Sequence, residues 1–383
     1  MNDYLKLFIL AGEPSGDRIA ADLVARLKQR VPLALSGVGG DELVAHGLKS
    51  MYPMSNLSVM GISDVIRRLP LLLWRIEQTA RSIRAAQPDV VVLVDAQDFS
   101  KLLAKRLKAL GYKGKTILYV APSVWARSPG RAAKLKPLFD EVMAVLPFEP
   151  AVMQRLNGPY TSYVGHPALG EQLTQTNIVE SGPLVLLPGS RDGELRRHLP
   201  VFRQVVEQLA GHPAIDGIVI PTLPRLADRL RAEVAQWAVP VTVTADREAR
   251  GELYASAVLA LCVSGTATLE LGLARLPMVV NYVMDATQAR VFDKIGRPAV
   301  SLPNIILGRP AVPELVQAQA DVPAVLEAVR LLLDSKKARQ DQLDAFGELA
   351  KLMEDGDPDF GRQDPADRIL SHWQADQRLL SGA

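Results

Sequence analysis

Cysteine is almost absent from this 383-residue sequence, in which Cys262 stands alone. A single cysteine excludes a disulfide framework and a cysteine metal cluster, and it fits a reducing compartment. Because Cys262 lies within an apolar run, we interpret it as a core residue rather than a nucleophile. The five histidines are not clustered, and we expect neither a metal site nor a cofactor.

An excess of charge of one sign is also missing. The 44 Lys and Arg residues nearly balance the 42 Asp and Glu residues, which leaves a formal charge of +2 and argues against a dedicated nucleic-acid binder. No stretch approaches the roughly 20 apolar residues of a transmembrane helix, and the first residues do not resemble an export leader. We therefore expect a cytoplasmic protein that can still contact a membrane surface.

Short apolar runs alternate with helical patterns along the chain, which predicts an α/β fold with parallel doubly wound sheets. The predicted strands are 7–10, 34–38, 89–94, 116–120 and 141–145, then 184–187, 218–220, 241–244, 257–263 and 278–282. The polar stretch 171–181 between the two series reads as a linker. We expect domains over 1–168 and 169–345 that face each other across a cleft, followed by a helical segment over 346–383.

Polar residues at strand ends of the first domain are the candidates for chemistry, because functional residues collect at that edge of a parallel sheet. They are Glu13, Ser15, Asp17, Asp95, Asp98, Ser123 and Trp125. Asp95 is the candidate general base, which would take a proton from an attacking hydroxyl. Asp98 is the candidate cap of a helix that begins near Phe99. The Gly-rich loop at 11–17 is not a GxGxxG dinucleotide motif. His166, which follows a glycine, is interpreted as structural.

The second domain carries candidates for binding an anion. The turn 264–270 (SGTATLE) joins a buried strand to a helix, so Ser264 or Thr266 can cap that helix, and Gly265 lets a ligand approach the backbone. Glu270 can accept hydrogen bonds from sugar hydroxyls. After another strand, Gly189 and Ser190 form a turn and Arg191 offers a guanidinium that pairs with phosphate. Together these features suit a nucleoside diphosphate, while a capped strand–helix junction is the simpler alternative.

An apolar helix with flanking arginines runs from Met60 to about Gln87. Its apolar residues exceed what one buried face requires, and we interpret them as a membrane contact: Ile62, Val65, Ile66, Leu69, Leu71, Leu72, Leu73 and Trp74. Pro70 is expected to kink or divide the helix. The alternatives are a helix buried on two sides and a contact between subunits. A nucleotide site, a base on the other domain and this helix together describe glycosyl transfer to a lipid.

Nine motifs in one order resemble the lipid-A-disaccharide synthases of Gram-negative bacteria. They are 11–17 (AGEPSGD), 59–62 (VMGI), 95–99 (DAQDF), 122–126 (PSVWA), 146–149 (LPFE), 165–166 (GH), 187–191 (LPGSR), 264–270 (SGTATLE) and 301–304 (SLPN). The resemblance implies a GT-B fold and an inverting, metal-independent glycosyltransferase without a cofactor. The donor would be UDP-2,3-diacylglucosamine and the acceptor 2,3-diacylglucosamine 1-phosphate, and the products a β-1,6-linked disaccharide 1-phosphate and UDP.

The resemblance also assigns residues. It implies that Asp95 is essential, that Arg191, Glu270 and Asn304 line the UDP site, and that the helix over 62–76 contacts the cytoplasmic face of the inner membrane. The last helix, 365–380, would cross back to the first domain. Arg127 replaces a tryptophan of the family pattern and is a candidate contact on the acceptor side, and Gln97 is a second departure. A homodimer is left open.

Two other functions remain alternatives at this point. One is another GT-B enzyme, either a UDP-sugar epimerase or a soluble transferase, which would have no use for the apolar stretch 71–74. The other is a non-catalytic nucleotide-sugar or lipid-binding protein, which would keep the turn 264–270 but would not need Asp95.

Overall fold

The computed structural model describes residues 4–57, 62–126, 129–169, 174–246 and 248–381, with the backbone alone over 62–67 and 376–381. The chain divides into two compact units. The first comprises Met1–Pro167 together with Glu354–Ala383, and the second comprises Ala168–Met353. The C-terminal segment therefore returns to the first unit.

The first unit is centred on a six-stranded parallel sheet with helices in the connections. Its strands are β1 (Leu5–Ala11), β2 (Leu33–Val38), β3 (Val90–Val94), β4 (Lys115–Tyr119), β5 (Glu141–Ala144) and β6 (Thr161–Tyr163). Its helices are α1 (Pro14–Lys28), α2 (Asp41–Ala45), a 3-10 turn (Met54–Asn56), α3 (Ile62–Ala86), α4 (Gln97–Ala109), α5 (Arg131–Leu135) and α6 (Glu149–Arg155). The strand order is β2-β1-β3-β4-β5-β6, so the direction of strand addition reverses between β1 and β3.

The second unit repeats this architecture. Its strands are β7 (Gly182–Leu187), β8 (Ile215–Pro221), β9 (Thr242–Thr244), β10 (Leu259–Cys262), β11 (Met278–Val283) and β12 (Glu314–Gln317). Its helices are α7 (Asp192–Gln208), α8 (Pro224–Val234), α9 (Arg250–Ser256), α10 (Ala267–Leu273), α11 (Ala286–Lys294), α12 (Leu302–Leu307), α13 (Val322–Asp334) and α14 (Lys336–Asp355). The order β12-β11-β10-β7-β8-β9 reverses between β7 and β10.

Helices cover both faces of each sheet, which explains the composition of the strands. Every residue of β3, with sequence VVVLV, is buried, and every residue of β10 is buried as well. A strand buried on both faces is apolar throughout instead of alternating. Cys262 ends β10 in this setting and lies in the core as predicted.

The structure departs from the predicted elements in four places. Strands β6 and β12 were not predicted, because Thr161–Tyr163 is too short and polar and Glu314–Gln317 has no buried residue to mark it. Helix α3 continues through Pro70 and is not divided. Pro70 is exposed, so water can bond the carbonyl that loses its backbone donor. The predicted helical region after 322 is interrupted by a small hairpin of β13 (Gly356–Asp357) and β14 (Phe360–Gly361).

A buried carboxylate fixes the last helix, α15 (Pro365–Ser381), to the first sheet. Glu141 in β5 is fully buried, and its oxygens accept hydrogen bonds from Arg368 at 2.8 and 2.9 Å, from His372 at 2.6 Å and from Ser162 at 2.5 Å. Burial opposes ionisation of Glu141, but the bonds from His372, Arg368 and Ser162 outweigh it and lower the pKa to about 2.

We expect the substitution Glu141→Gln to loosen α15, because it leaves the Arg368 guanidinium without a carboxylate. The free energy of unfolding in urea should fall by up to about 3 kcal/mol at neutral pH. A carboxyl whose folded pKa is depressed stabilises the fold above its unfolded pKa, and that stabilisation is lost as the pH falls. Wild type should therefore lose stability between pH 4.5 and about 2 more steeply than the variant. Asp22→Asn, which removes a surface partner of Arg26, is the control, and equal losses in both variants would contradict the assignment.

Candidate functional site

The first cluster of polar residues lies where the order of the first sheet reverses. Glu13 and Ser15 follow β1 and Asp95 follows β3, and these two strands are direct neighbours. The Ser15 hydroxyl donates to Asp95 Oδ2 at 3.0 Å. Gly12 permits this approach, since a Cβ there would lie 2.6 Å from the Cβ of Ala96. Ligands of doubly wound proteins bind at such reversal points, so the geometry joins Ser15 and Asp95 in one candidate site.

The environment of Asp95 suits a proton acceptor. Its backbone is left-handed, with φ 49°, an uncommon conformation for a residue with a side chain. Its N–H donates to the Tyr119 carbonyl at 3.1 Å. Burial raises the pKa of Asp95, and so does the charge of Glu13, while the hydrogen bond from Ser15 lowers it. A carboxylate with a raised pKa is a better general base. The pKa of Asp95 stays above its ordinary value even with the hydrogen bond from Ser15.

The two nearby acids Asp98 and Asp17 differ from Asp95 in their exposure and in their hydrogen-bond partners. The prediction that Asp98 caps α4 is wrong, because the helix begins at Gln97 with Ala96 in the cap position and no side-chain cap bond. Its side chain is 94% exposed and lies 3.9 Å from Arg131. Asp17 is 2% exposed and accepts the backbone N–H groups of Gly40 at 2.8 Å and Glu42 at 3.0 Å. Asp17 thus fixes the start of α2.

The next two strand ends along the same edge contribute an aromatic pair. The Trp125 ring stands edge-on to Phe148, with the ring centroids 5.3 Å apart. The indole N–H donates to Glu149 Oε1 at 3.3 Å. Ser123 is exposed, and the predicted acceptor-side residue Arg127 lies outside the described residues. The sequence motif at 146–149 pointed to Glu149 without assigning it a role.

In the second unit the turn after β7 is organised by an acid that the sequence analysis did not select. Glu194 accepts the N–H groups of Ser190 at 3.0 Å and Arg191 at 3.2 Å, and its other oxygen accepts from the Arg191 guanidinium at 2.9 Å. Gly189 has φ 103°, and a Cβ there would lie 2.6 Å from Glu194. The Arg191 side chain is 83% exposed. Glu194 could have been found from the sequence, because an acid three residues after the first residue of a helix start is typical of a capping box.

The turn after β10 is tied to the segment before α12. Ser264 donates to the Val300 carbonyl at 2.7 Å, and Leu302 N–H donates to the Thr268 hydroxyl at 3.1 Å. Ser264 therefore does not cap α10. Thr266 occupies the cap position but makes no side-chain cap bond. Gly265 is exposed, and a Cβ placed on it would meet nothing within 4 Å.

A second overlooked acid, Glu314 in β12, holds the segment 300–304. One oxygen accepts from Ser301 N at 2.9 Å, Ser301 Oγ at 2.5 Å and Asn304 Nδ2 at 2.7 Å, and the other accepts from Val300 N at 2.9 Å. Asn304 Oδ1 accepts the N–H groups of Ala311 and Val312. The amide of Asn304, predicted to line a nucleotide site, is thus bonded within the unit at both ends.

Glu270 lies in the first turn of α10, beside the segment that Glu314 holds. A carboxylate oxygen of Glu270 lies 3.9 Å from the guanidinium of Arg250, at the start of α9. Together Gly189–Arg191 and Ser264–Glu270 follow β7 and β10, the adjacent strands at which the second sheet reverses. The geometry therefore assembles a second candidate site at the corresponding point of the second unit.

Helix α3 is exposed over part of the predicted membrane contact. Leu69, Leu73 and Trp74 are 44%, 51% and 54% exposed, whereas Leu72 packs against the core and Leu71 is half-buried. Side chains of Ile62, Val65 and Ile66 lie outside the described residues. The Arg75 guanidinium stacks 4.2 Å from the Tyr52 ring and 4.3 Å from the Trp74 ring.

Neither a metal cluster nor a membrane span emerges from the described residues. They contain no group of three or more His, Cys, Asp or Glu side chains arranged to hold a metal ion. In the same part of the chain, no helix has the length and apolarity needed to cross a bilayer. Burial lowers the pKa of His166 to about 4, so its ring is neutral at physiological pH.

Solved structures define the class of fold. The S. aureus MnaA–UDP co-structure matches with a TM-score of 0.63 at 13% identity, over 98% of this chain and 97% of that one. The calicheamicin glycosyltransferase CalG4 matches with a TM-score of 0.59 at 17% identity, over 98% and 99%. These identities show the fold alone, and the fold is the predicted GT-B class.

Sequence comparisons define the family within that class. The model of the lipid-A-disaccharide synthetase family matches residues 7–357. Lipid-A-disaccharide synthases of Rhodospirillum centenum and Nitrobacter hamburgensis are 37% and 35% identical over 367 and 366 residues, covering 92% and 93% of this chain and 91% and 92% of those proteins. The chain belongs to the lipid-A-disaccharide synthetase family, which confirms the resemblance carried by its motifs.

We expect Glu314→Ala to disorder the segment 300–304, because it removes the acceptor of four hydrogen bonds. Leaving buried donors unpaired costs about 1–3 kcal/mol per group, so amide exchange at Val300 and Ser301, measured by mass spectrometry, should accelerate by at least about tenfold. Glu348→Ala, which removes an exposed partner of Arg309, should leave the exchange unchanged. Unaltered protection in the Glu314 variant would show that the backbone alone holds this segment.

Proposed function

We propose that the protein transfers a 2,3-diacylglucosamine unit from UDP to 2,3-diacylglucosamine 1-phosphate. The products are a β-1,6-linked disaccharide 1-phosphate and UDP. Membership of the family over residues 7–357, with Asp95 and Ser15 joined at a sheet reversal, carries the proposal. Asp95 takes the proton from the attacking acceptor hydroxyl as that oxygen bonds to the anomeric carbon, and the bond from this carbon to the diphosphate breaks with inversion.

The second unit is proposed to bind UDP. Arg191 and the turn N–H groups would face the diphosphate, with phosphate oxygens competing against the Glu194 carboxylate for the guanidinium. Glu270 would accept hydrogen bonds from ribose hydroxyls. The increasing negative charge on the leaving diphosphate is stabilised by Arg191 in the transition state. Asn304 contributes through the shape of the segment 300–304, since its amide is already bonded.

The acceptor is proposed to bind on the first unit, beside Asp95, Ser123 and Trp125. Because the acceptor carries acyl chains, the reaction would take place at a membrane surface. The exposed apolar side chains of α3 would contact the cytoplasmic face of the inner membrane. A UDP-GlcNAc 2-epimerase has the same fold, as shown by the structure from Neisseria meningitidis with a TM-score of 0.59 at 10% identity, but an epimerase requires no second acylated substrate. Family membership favours transfer.

The test of this activity is UDP release from purified protein supplied with both acylated substrates. Asp95→Asn should lower kcat about 10²–10⁴-fold, the usual contribution of a general base, and leave the Kd for UDP unchanged. Asp98→Asn, three residues further on, should keep most of the activity, because that side chain points to solvent. Absence of UDP release by wild type would refute the function. Full activity of the Asp95 variant would refute the base.

The triple substitution Leu69→Ser, Leu73→Ser and Trp74→Ser should weaken binding to vesicles that contain anionic lipid. Each exposed apolar side chain loses its favourable transfer into the interface, so we expect at least a tenfold loss in a sedimentation assay, with the melting temperature retained. Leu102→Ser, at an exposed leucine of α4, is the control. Binding that survives the triple substitution would place the membrane contact elsewhere.

A further inference from the structure

Glu149 is an acid buried at the candidate edge of the first sheet. It begins α6, after the loop 145–148 that follows β5, and is 3% exposed. Its Oε1 accepts the indole N–H of Trp125 at 3.3 Å, and its Oε2 accepts Leu146 N–H at 3.1 Å. No Lys, Arg or His side chain among the described residues forms a salt bridge with it. In the described part of the chain, the groups that donate to Glu149 are thus neutral N–H groups.

This arrangement is costly without a compensating role. Burial raises the pKa of Glu149 to about 7, although hydrogen bonds from Leu146, Trp125 and Val145 lower it. Of the other two buried acids of the unit, Glu141 has an arginine and a histidine as partners, and Asp17 accepts two backbone N–H groups. A buried structural acid is thus held either by a charge pair or by backbone donors. Glu149 instead directs one oxygen at a single side chain, that of Trp125.

Trp125 needs such a partner to keep one orientation. The residue follows β4 outside any helix or strand and is half-buried. Phe148 contacts its ring from one side, edge to face, which constrains the ring but does not define the direction of the N–H. The hydrogen bond to Glu149 fixes the direction of the N–H. Because Phe148 and Glu149 are consecutive in the chain, one short segment makes both contacts with the Trp125 ring.

We propose that Glu149 is a positioning residue that orients Trp125 to bind the acceptor. The inference rests on the proposed transferase function and deepens its acceptor side. Both oxygens of Glu149 must accept hydrogen bonds. A glutamine would present an NH₂ group to one of the two N–H donors, so no amide orientation satisfies both of them.

The experiment is a double-mutant cycle on the full-length enzyme, with KM measured separately for donor and acceptor. Glu149→Gln keeps the side-chain volume and removes one acceptor, whereas Trp125→Phe keeps an aromatic ring and removes the N–H donor. Each change alone should raise the acceptor KM about tenfold, the size expected for one buried hydrogen bond, with the donor KM within about twofold. Because both changes break the same bond, the double variant should be no worse than the single variants.

The outcomes separate this inference from the proposed function. Effects that multiply in the double variant, or equal increases in the two KM values, would overturn the positioning role. Trp125→Phe decides the matter if Glu149→Gln does not fold, because an unchanged acceptor KM in Trp125→Phe also overturns it. Glu141→Gln is the matched control and should lower stability without separating the two KM values. A wild-type enzyme that releases no UDP would refute the function and this inference together.

Discussion

The reversal of strand order at the centre of each sheet is the constraint on which the rest of the structure depends. Parallel strands require crossover connections, and a crossover that changes direction leaves the loops of two adjacent strands diverging to opposite faces. In the first unit those loops follow β1 and β3, and in the second they follow β7 and β10. The polar residues of the two candidate sites therefore lie in these loops and not in the buried, apolar strands. The proposed base and the proposed UDP site are both located there.

Carboxylates hold the loops that surround these openings, two of them buried and one, that of Glu314, half-buried. Asp17, Glu194 and Glu314 each accept at least two backbone N–H groups of a neighbouring loop. Loops at a sheet edge have backbone groups that no ladder satisfies, and a carboxylate is the strongest acceptor available for them. The loops are thereby preorganised, which is the condition for binding a ligand without a further loss of conformational entropy.

The sequence predicted the fold and the location of the sites better than their internal contacts. Apolar runs such as 89–94 are long and β-branched, so strands and their order along the chain followed from composition. Asp95 was selected because it ends such a run. Asp98, three residues later, was misjudged as a cap, because the true helix start depends on backbone geometry. Glu314 was missed because its partners lie 10 to 14 residues away and no periodic pattern marks a contact of that kind.

The fold of this protein does not by itself define its reaction, which depends on individual side chains. The UDP-GlcNAc 2-epimerase from Neisseria meningitidis and the glycosyltransferase CalG4 both match this chain with a TM-score of 0.59, so the architecture alone does not choose between reactions. What a transferase needs beyond a nucleotide site is a base and a surface for a second substrate. The first unit offers a carboxyl with a raised pKa beside a hydroxyl donor, and a hydrogen-bonded tryptophan at the neighbouring strand end. The raised pKa of Asp95 and the hydrogen bond from Ser15 are properties that the proposed base requires, so this pair of residues at the reversal of the sheet is our proposed source of the proton acceptor.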